Sequence, residues 1–374
     1  MSLFLLIQKE AKAIFSNTTI VLAMIGGVLF YAFLYPLPYQ HQSPEEQKIS
    51  VVDLDKSELS RKFARMVNTS QQVNVVEQAN SIEQAKSQFL NNEITGFLVI
   101  PSEFSKKLQL GEAPTVGYAG DASYFLIYGT IVEGLMTAGG TISAEYRIAH
   151  LAIDGTPMNA AIHSFRPFQS NYIPVFNHYM GYVQYVVPAV FVLILQQTLL
   201  MAVGVRQKQS SANENTATHL IVRFGIFLFT ELLLACLYFG YFFDFYSISR
   251  FGTPLEILVL LVPFISSVIL LGLFLGKVLP TSESILLLVL FSSMPIVFSA
   301  GFIWPAEMVP SIITDIMHLL PSGFAINGFL KLNQQGAGLS GVLTNLNGLY
   351  ALCILYAFLF FITRNKNNLK DDTE

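Results

Sequence analysis

The chain has 374 residues, 53% of them hydrophobic and only 12% charged, with a formal net charge of -4 at pH 7. A soluble domain carries about 25% charged residues, so a wholly water-solvated globule is excluded and a bilayer is the natural solvent. Nothing resembles the dense basic patch that nucleic acid requires, and the two cysteines, Cys236 and Cys353, sit inside apolar runs, which argues against a structural disulfide or a cysteine-rich metal site.

A helix needs about 20 apolar residues to cross the hydrocarbon core. The first such run covers residues 19–35, preceded by Lys9 and Lys12. It ends in the bulky sequence Tyr35-Pro36-Leu37-Pro38-Tyr39 with no small-residue cleavage site, so it reads as an uncleaved anchor and not as a signal peptide.

Polar and charged residues return from residue 40 to residue 176. Strands are predicted at 48–54, 73–76, 94–100 and 115–118, and helices at 57–67, 81–90, 102–110 and 124–152, the last carrying Ile127, Ile131 and Leu135 at helical spacing. This alternation predicts a small α/β domain. Asp53 and Asp55 close the first strand; a turn with a helix N-cap explains them better than a metal or catalytic pair.

Five further apolar runs follow, at 182–205, 220–243, 255–278, 285–304 and 347–363. With six spans, Lys9, Lys12, Arg206, Lys208, Arg223, Lys277, Arg364, Lys366 and Lys370 all fall on one side, which the distribution of basic residues assigns to the cytoplasm together with both termini. The expected fold is therefore a membrane α-helical protein of six transmembrane helices with an inserted α/β extracytoplasmic domain. Its divisions are 1–38, 39–177 and 178–374. Residues 305–330, broken by Pro310, Pro321 and Gly323, are too interrupted to cross alone and read as a re-entrant hairpin.

One acidic residue stands out. Glu231 lies about eleven residues into the third span, close to mid-membrane at ~1.5 Å per residue. A charge there faces a cavity or a partner. Gln196 and Gln197, mid-span in the second helix, are candidate partners, and the group reads as an interhelix or pathway polar site. Arg223, near a span end, reads as a snorkelling anchor.

Motifs for chemistry are missing. Gly276-Lys277 lacks the upstream glycine of a phosphate loop, and Gly336, Gly338 and Gly341 spell G-x-G-x-x-G without the strand-turn-helix context it needs. His163, His178, His219 and His318 are scattered. No catalytic residue, bound cofactor or metal site is expected of this chain.

Three segments resemble the type-2 family of ABC transporter permeases, in the branch with a large outer domain after the first helix. The first joins Ile49-Ser-Val-Val-Asp-Leu-Asp-Lys-Ser57 with the later run Gly96-Phe-Leu-Val-Ile-Pro101. The second is Phe176-Asn177 followed by Tyr182 and Pro188. The third is Ser299-Ala-Gly-Phe-Ile-Trp-Pro305, with Met308, Pro310, Pro321, Leu332-Asn333 and Gly336-Ala337 after it.

The resemblance implies a bacterial inner-membrane exporter subunit for amphiphilic or drug-like substrates. Separate ABC ATPase subunits would hold ATP and Mg. A second copy or a related permease would complete the pathway, and a membrane-fusion or outer-membrane component could extend it. The family's ATPase-contacting loop, usually rich in Arg and Glu and ending in Gly-Thr, corresponds here to Arg206, Lys208, Glu214, Asn215 and Thr216. Asn215 stands where glycine is usual, and asparagine tolerates the left-handed conformation such a turn needs. Gly301, Phe302, Trp304, Pro305, Met308, Pro310 and Pro321 would form the extracytoplasmic re-entrant seal. A different reading of the same architecture is a non-transporting membrane sensor or scaffold whose outer domain binds a ligand or partner.

Overall fold

The computed structural model describes residues 2–39, 45–165, 175–177, 181–304 and 306–371. The chain divides into two compact units, Met1–Gln42 with Pro174–Glu374, and Ser43–Ile173. It opens with α1 (Leu3–Phe15) and α2 (Thr18–Tyr39). The second unit runs β1 (Gln47–Asp53), α3 (Glu58–Asn68), β2 (Val73–Gln78), α4 (Ile82–Leu90), β3 (Gly96–Ile100), α5 (Phe104–Gln109), β4 (Gly117–Gly120), α6 (Phe125–Ile153) and α7 (Met158–Phe165). The first unit resumes with α8 (Val186–Lys208), α9 (Ala217–Phe245), α10 (Pro254–Val278), α11 (Ser282–Ser299), α12 (Ser311–Met317), α13 (Pro321–Phe329) and α14 (Leu343–Asp371).

Six helices are long and apolar enough to cross a membrane: α2, α8, α9, α10, α11 and the Leu343–Thr363 part of α14. Each coincides with a run predicted from hydropathy, with ends shifted by a few residues. The largest shift is in α11, which stops at Ser299 and not at 304. Pro295 removes a backbone donor from its last turns, and Gly301 adopts φ +80°, a left-handed conformation that ends helices.

Helix α8 is the pillar of the bundle. From Val186 to Gln207 every residue but Met201 is buried. It meets α10 almost backbone to backbone: a β-carbon added to Gly276 would stand 2.6 Å from the carbonyl oxygen of Gly204. Small residues permit this approach, which is how helices gain packing energy when lipid supplies no hydrophobic drive between them. Gly276 is thus a packing residue. Tyr238 and Tyr246 of α9 donate hydroxyl hydrogen bonds to the carbonyls of Val28 (2.7 Å) and Ala32 (3.0 Å), tying α2 to α9. Apolar side chains also point outward, among them Leu290, Phe291 and Met294 of α11, each about two-thirds exposed or more. In water such a surface would be a liability; against lipid tails it is the expected solvent face.

The α/β unit is a four-stranded sheet in the order β2-β1-β3-β4, parallel except for β4. Central β1 and β3 are buried on both faces, as parallel strands between helices are. Ile49, Val51, Leu98 and Ile100 pack with Phe63, Val67, Phe104 and Ile131; Val52 and Phe97 pack with Ala85 and Ile94. The predicted order of strands and helices is found in full.

Asp53 and Asp55 hold turns. Asp53 accepts from the backbone N–H of Asp55 (3.1 Å) and Lys56 (2.9 Å) and from the Ser60 hydroxyl (2.7 Å), beside a Ser57–Ser60 capping box. Asp55 accepts from the Ser105 N–H at 3.2 Å. Among the described residues no group of three or more His, Cys, Asp or Glu side chains is placed to hold a metal. Asp53→Ala should therefore loosen this turn by about 1–2 kcal/mol, read as faster amide exchange over residues 51–61 in the full-length protein. Added Mg²⁺ or Ca²⁺ should leave wild-type exchange unchanged; protection that rises with either ion would restore the metal reading.

Candidate functional site

The end of the bundle where α8 turns into α9 gathers the charges that the apolar helices otherwise exclude. The turn is a short 3₁₀ segment, Ala212–Asn215. Helix α1 lies against α9. Its buried stripe is Leu6, Glu10 and Ile14, one helical turn apart, while Leu3, Phe4, Leu5 and Ile7 are exposed. A helix with apolar residues outside and Lys9 and Lys12 among them suits a membrane surface.

Glu10 is 2% exposed and holds two guanidinium groups. Arg206 Nη2 donates to its Oε2 at 2.7 Å, and Arg223 Nε donates to its Oε1 at 2.6 Å. Arg223 Nη1 also donates to Gln207 Oε1 at 2.6 Å, and Gln207 Nε2 donates to Asn215 Oδ1 at 2.9 Å. Arg206 reaches Glu214 at 3.3 Å and the Ser210 hydroxyl at 2.8 Å. Lys9 closes the ring with Glu214 at 3.1 Å. Three cations meet two carboxylates, and the network joins α1, the end of α8, the turn and the start of α9.

Burial works to raise the pKa of Glu214, but the hydrogen bond from Lys9 and the nearby Arg206 charge outweigh it and hold the carboxyl below its ordinary value. A depressed pKa contributes stability at neutral pH that is lost only as pH falls through the depressed value. This contact should consequently survive acidification from pH 7 to about 5 and fail below the usual carboxylate range.

The network revises three expectations. Arg223 does not snorkel; it is fully buried, because Glu10 and Gln207 supply acceptors where water would otherwise be needed. Asn215 does not use a left-handed turn, since its backbone is not among the positive-φ residues. Its side-chain amide instead bridges Gln207 and the Ser211 carbonyl (3.1 Å), which glycine could not do. Lys208 and Thr216 stand outside the network; the Thr216 hydroxyl meets His219 Nδ1 at 2.6 Å. Sequence reading missed Glu10, although its i, i+4 spacing from Leu6 and Ile14 marked it as inward-facing.

The mid-membrane group is not one site. Gln196 Oε1 accepts from the Ser322 N–H at 2.7 Å, and Gln197 Nε2 donates to the Ser293 hydroxyl at 3.1 Å. Adjacent positions on a helix point about 100° apart, so these two amides face α13 and α11, not Glu231. Glu231 is fully buried on α9, and neither carboxyl oxygen has a partner among the described residues.

Residues 306–330 include two short helices, α12 and α13, which meet closely: a β-carbon on Gly323 would stand 2.2 Å from the Met317 carbonyl oxygen. Pro310 precedes α12, and Pro321 opens α13 at the position where a missing N–H costs nothing. Phe302 is buried, Trp304 and Met308 are exposed, and Pro305 lies outside the described residues. Gly336 (φ +63°) and Gly338 (φ +65°) adopt left-handed backbone in the connection between α13 and α14, where Gly338 opens a short helix, Gly338–Gly341, and no strand precedes the glycine motif. His318 stacks on Phe324, apart from His219, and His178 lies outside the described residues.

Removing one partner of a buried ion pair costs about 3–5 kcal/mol because the other charge is stranded. Glu10→Ala should lower the unfolding midpoint accordingly. Lys9→Ala, which breaks a half-exposed contact, should cost no more than about 1 kcal/mol. Thermal unfolding of the two variants in lipid checks this; equal losses would mean the network is not buried as described. Glu231→Leu removes an unpartnered buried carboxyl and should raise stability by about 1–3 kcal/mol; a loss of that size would reveal a partner for it.

Residues 18–362 match the model of a family described as ABC-2 family transporter protein, a match that runs from the first apolar helix to the last and includes the inserted α/β unit. No curated protein and no solved structure matches the chain. Six helices long and apolar enough to cross a membrane and a family match over nearly the whole length agree: the chain belongs to the ABC-2 transporter family, as a multi-pass integral membrane permease.

Proposed function

We propose that the chain is the membrane-spanning subunit of an ATP-driven exporter in the bacterial inner membrane, moving an amphiphilic or drug-like compound out of the cytoplasm or inner leaflet. Family membership implies an ABC ATPase partner. ATP and Mg would be held by those separate subunits. A second copy or a related permease would supply the other half of the pathway, and a membrane-fusion component would continue it outward.

The observation that carries this reading is the network at Glu10, Arg206, Arg223 and Glu214. An ATPase can do work on a permease only through a part that moves as one body. The turn at 206–216 is cross-braced to α1, α8 and α9 by charge-assisted hydrogen bonds, about twice as strong as neutral ones. A push on the turn would therefore reach three helices at once. The basic residues Lys9, Lys12, Arg206, Lys208 and Lys277 collect toward that end, which supports a cytoplasmic location for it and for both termini. The α/β unit and the α12–α13 hairpin would then lie outside, the hairpin sealing the pathway until the helices shift.

Reconstitution with the cognate ATPase tests the reading. Uptake of a fluorescent amphiphile into inside-out vesicles should require both proteins, ATP and Mg²⁺. Cysteines placed at Ser210 and at Leu90 should react from opposite sides of the membrane. A chain that never associates with an ATPase, yet binds ligand through its α/β unit, would favour a sensor or scaffold.

A further inference from the structure

Only Ser16 and Asn17 separate α1 from the membrane-crossing α2. Asn17 fixes the joint. Its Oδ1 accepts from the N–H groups of Thr19 (3.0 Å) and Ile20 (3.3 Å), and its Nδ2 donates to Gln209 Oε1, just past the end of α8, at 2.7 Å. Helix α1 is thus held at the level where α2 and α8 leave the bilayer. Its residues divide into three sectors at about 100° per residue. Leu6, Glu10 and Ile14 face the bundle; Phe4, Ile7 and Phe15 share one exposed flank; Lys9 and Lys12 share the other, with Leu5 as the one exposed apolar side chain between them. The Lys9 side chain is 57% exposed although its ammonium meets Glu214 at 3.1 Å. Lys12 is exposed and has no carboxylate partner among the described residues.

We propose that the lysine flank of α1 binds acidic phospholipid head groups, and that these lipids take Lys9 from Glu214. With Phe4, Ile7 and Phe15 sunk into the acyl boundary, the lysines stand at head-group level. A zwitterionic lipid carries its own cation beside its phosphate, whereas an acidic lipid leaves its phosphate charge for Lys9 and Lys12. The attraction of one lysine to an acidic leaflet and the strength of an exposed Lys–Glu pair are of similar size. Lys9 therefore changes partner as acidic lipid accumulates, and Lys12 adds a second contact. The inner network is closed to this exchange, because Glu10, Arg206 and Arg223 are buried. Glu214 then keeps Arg206 at 3.3 Å but loses its direct tie to α1. Membrane charge is in this way connected to the turn at 206–216. Lipid binding here is independent of the transport reading, since neither ATPase nor cargo takes part.

Two measurements on the full-length protein in vesicles test this. The chain has one tryptophan, so Phe4→Trp combined with Trp304→Phe moves the emission to the apolar flank of α1. Brominated phosphatidylglycerol should quench that emission about twofold more than brominated phosphatidylcholine at the same mole fraction, and adding Lys9→Gln and Lys12→Gln should abolish the difference. The second measurement is amide exchange over residues 206–216, where the Glu214 N–H donates to the Ser211 carbonyl at 3.0 Å. Replacing part of the phosphatidylcholine by phosphatidylglycerol should speed wild-type exchange there about threefold. Lys9→Gln should exchange faster already in phosphatidylcholine and gain nothing from phosphatidylglycerol. Glycerol phosphate in solution, which carries the charge without acyl chains, should leave exchange unchanged; an equal response to it would assign the site to free phosphate and overturn the lipid reading. Equal quenching by the two lipids, no quenching by either, or a phosphatidylglycerol response in Lys9→Gln equal to that of the wild type overturns the proposal as well.

Discussion

A carboxylate that accepts hydrogen bonds from two buried guanidinium groups constrains everything near it. Glu10 brings to Arg206 and Arg223 the acceptors that burial denied them. Without it the bundle would hold two like charges out of water, and each ion so stranded costs several kcal/mol. The position of α1, the end of α8 and the first turns of α9 are thereby fixed together, and Glu214 and Gln207 extend the same bracing into the connecting turn. Ion pairs of this kind are weak evidence for stability as such, because desolvation offsets most of the attraction. Their geometric consequence is the stronger one: they specify a single arrangement of helices that apolar packing alone would leave free to slide.

The rest of the bundle obeys the complementary rule. Polar groups inside it either pair or stay few. Gln196 meets the Ser322 N–H at the start of α13, Gln197 meets Ser293 of α11, and the hydroxyls of Tyr238 and Tyr246 meet carbonyls of α2. These contacts pin individual helices to one another at single depths, while close approach at Gly204 and Gly276 sets the distance between α8 and α10. The pairing is incomplete: among the described residues of the bundle both carboxyl oxygens of Glu231, both side-chain polar atoms of Asn333 and one atom each of Gln196, Gln197, Arg206, Ser322 and Gln334 are buried without a partner. Native proteins keep a few such groups, and each calls for an explanation in strain, function or ordered water.

Much of the fold was legible in the sequence because membrane and sheet physics write long, regular signals. The six spans follow from apolar run length, and the α/β unit from the alternation of β-type runs with amphipathic helices. The helix ends were less legible, as α11 shows, since Pro295 and Gly301 act on a scale of one or two residues. The site was read in part. Arg206, Glu214 and Asn215 were marked by their place in the loop, but the acid that organises them lies far earlier in the chain, in a stretch whose lysines drew attention to charge sidedness. Glu231 illustrates the opposite error: three polar residues at similar depth suggested one cluster, yet depth says nothing about which way a helix face points.

The central claim is that the charge network couples the loop to the helices as well as holding them in place. Replacing Glu10, Arg206 and Arg223 together by Leu, Met and Met separates the two roles, because a buried ion cluster exchanged for apolar residues of similar volume is often as stable or more so. The measurement is ATP hydrolysis by the reconstituted complex with and without transport substrate, alongside the unfolding midpoint. The account predicts a folded triple variant, still bound to its ATPase, whose substrate-stimulated hydrolysis falls at least tenfold. A stable triple variant with wild-type stimulation would contradict it and leave the network a structural brace only.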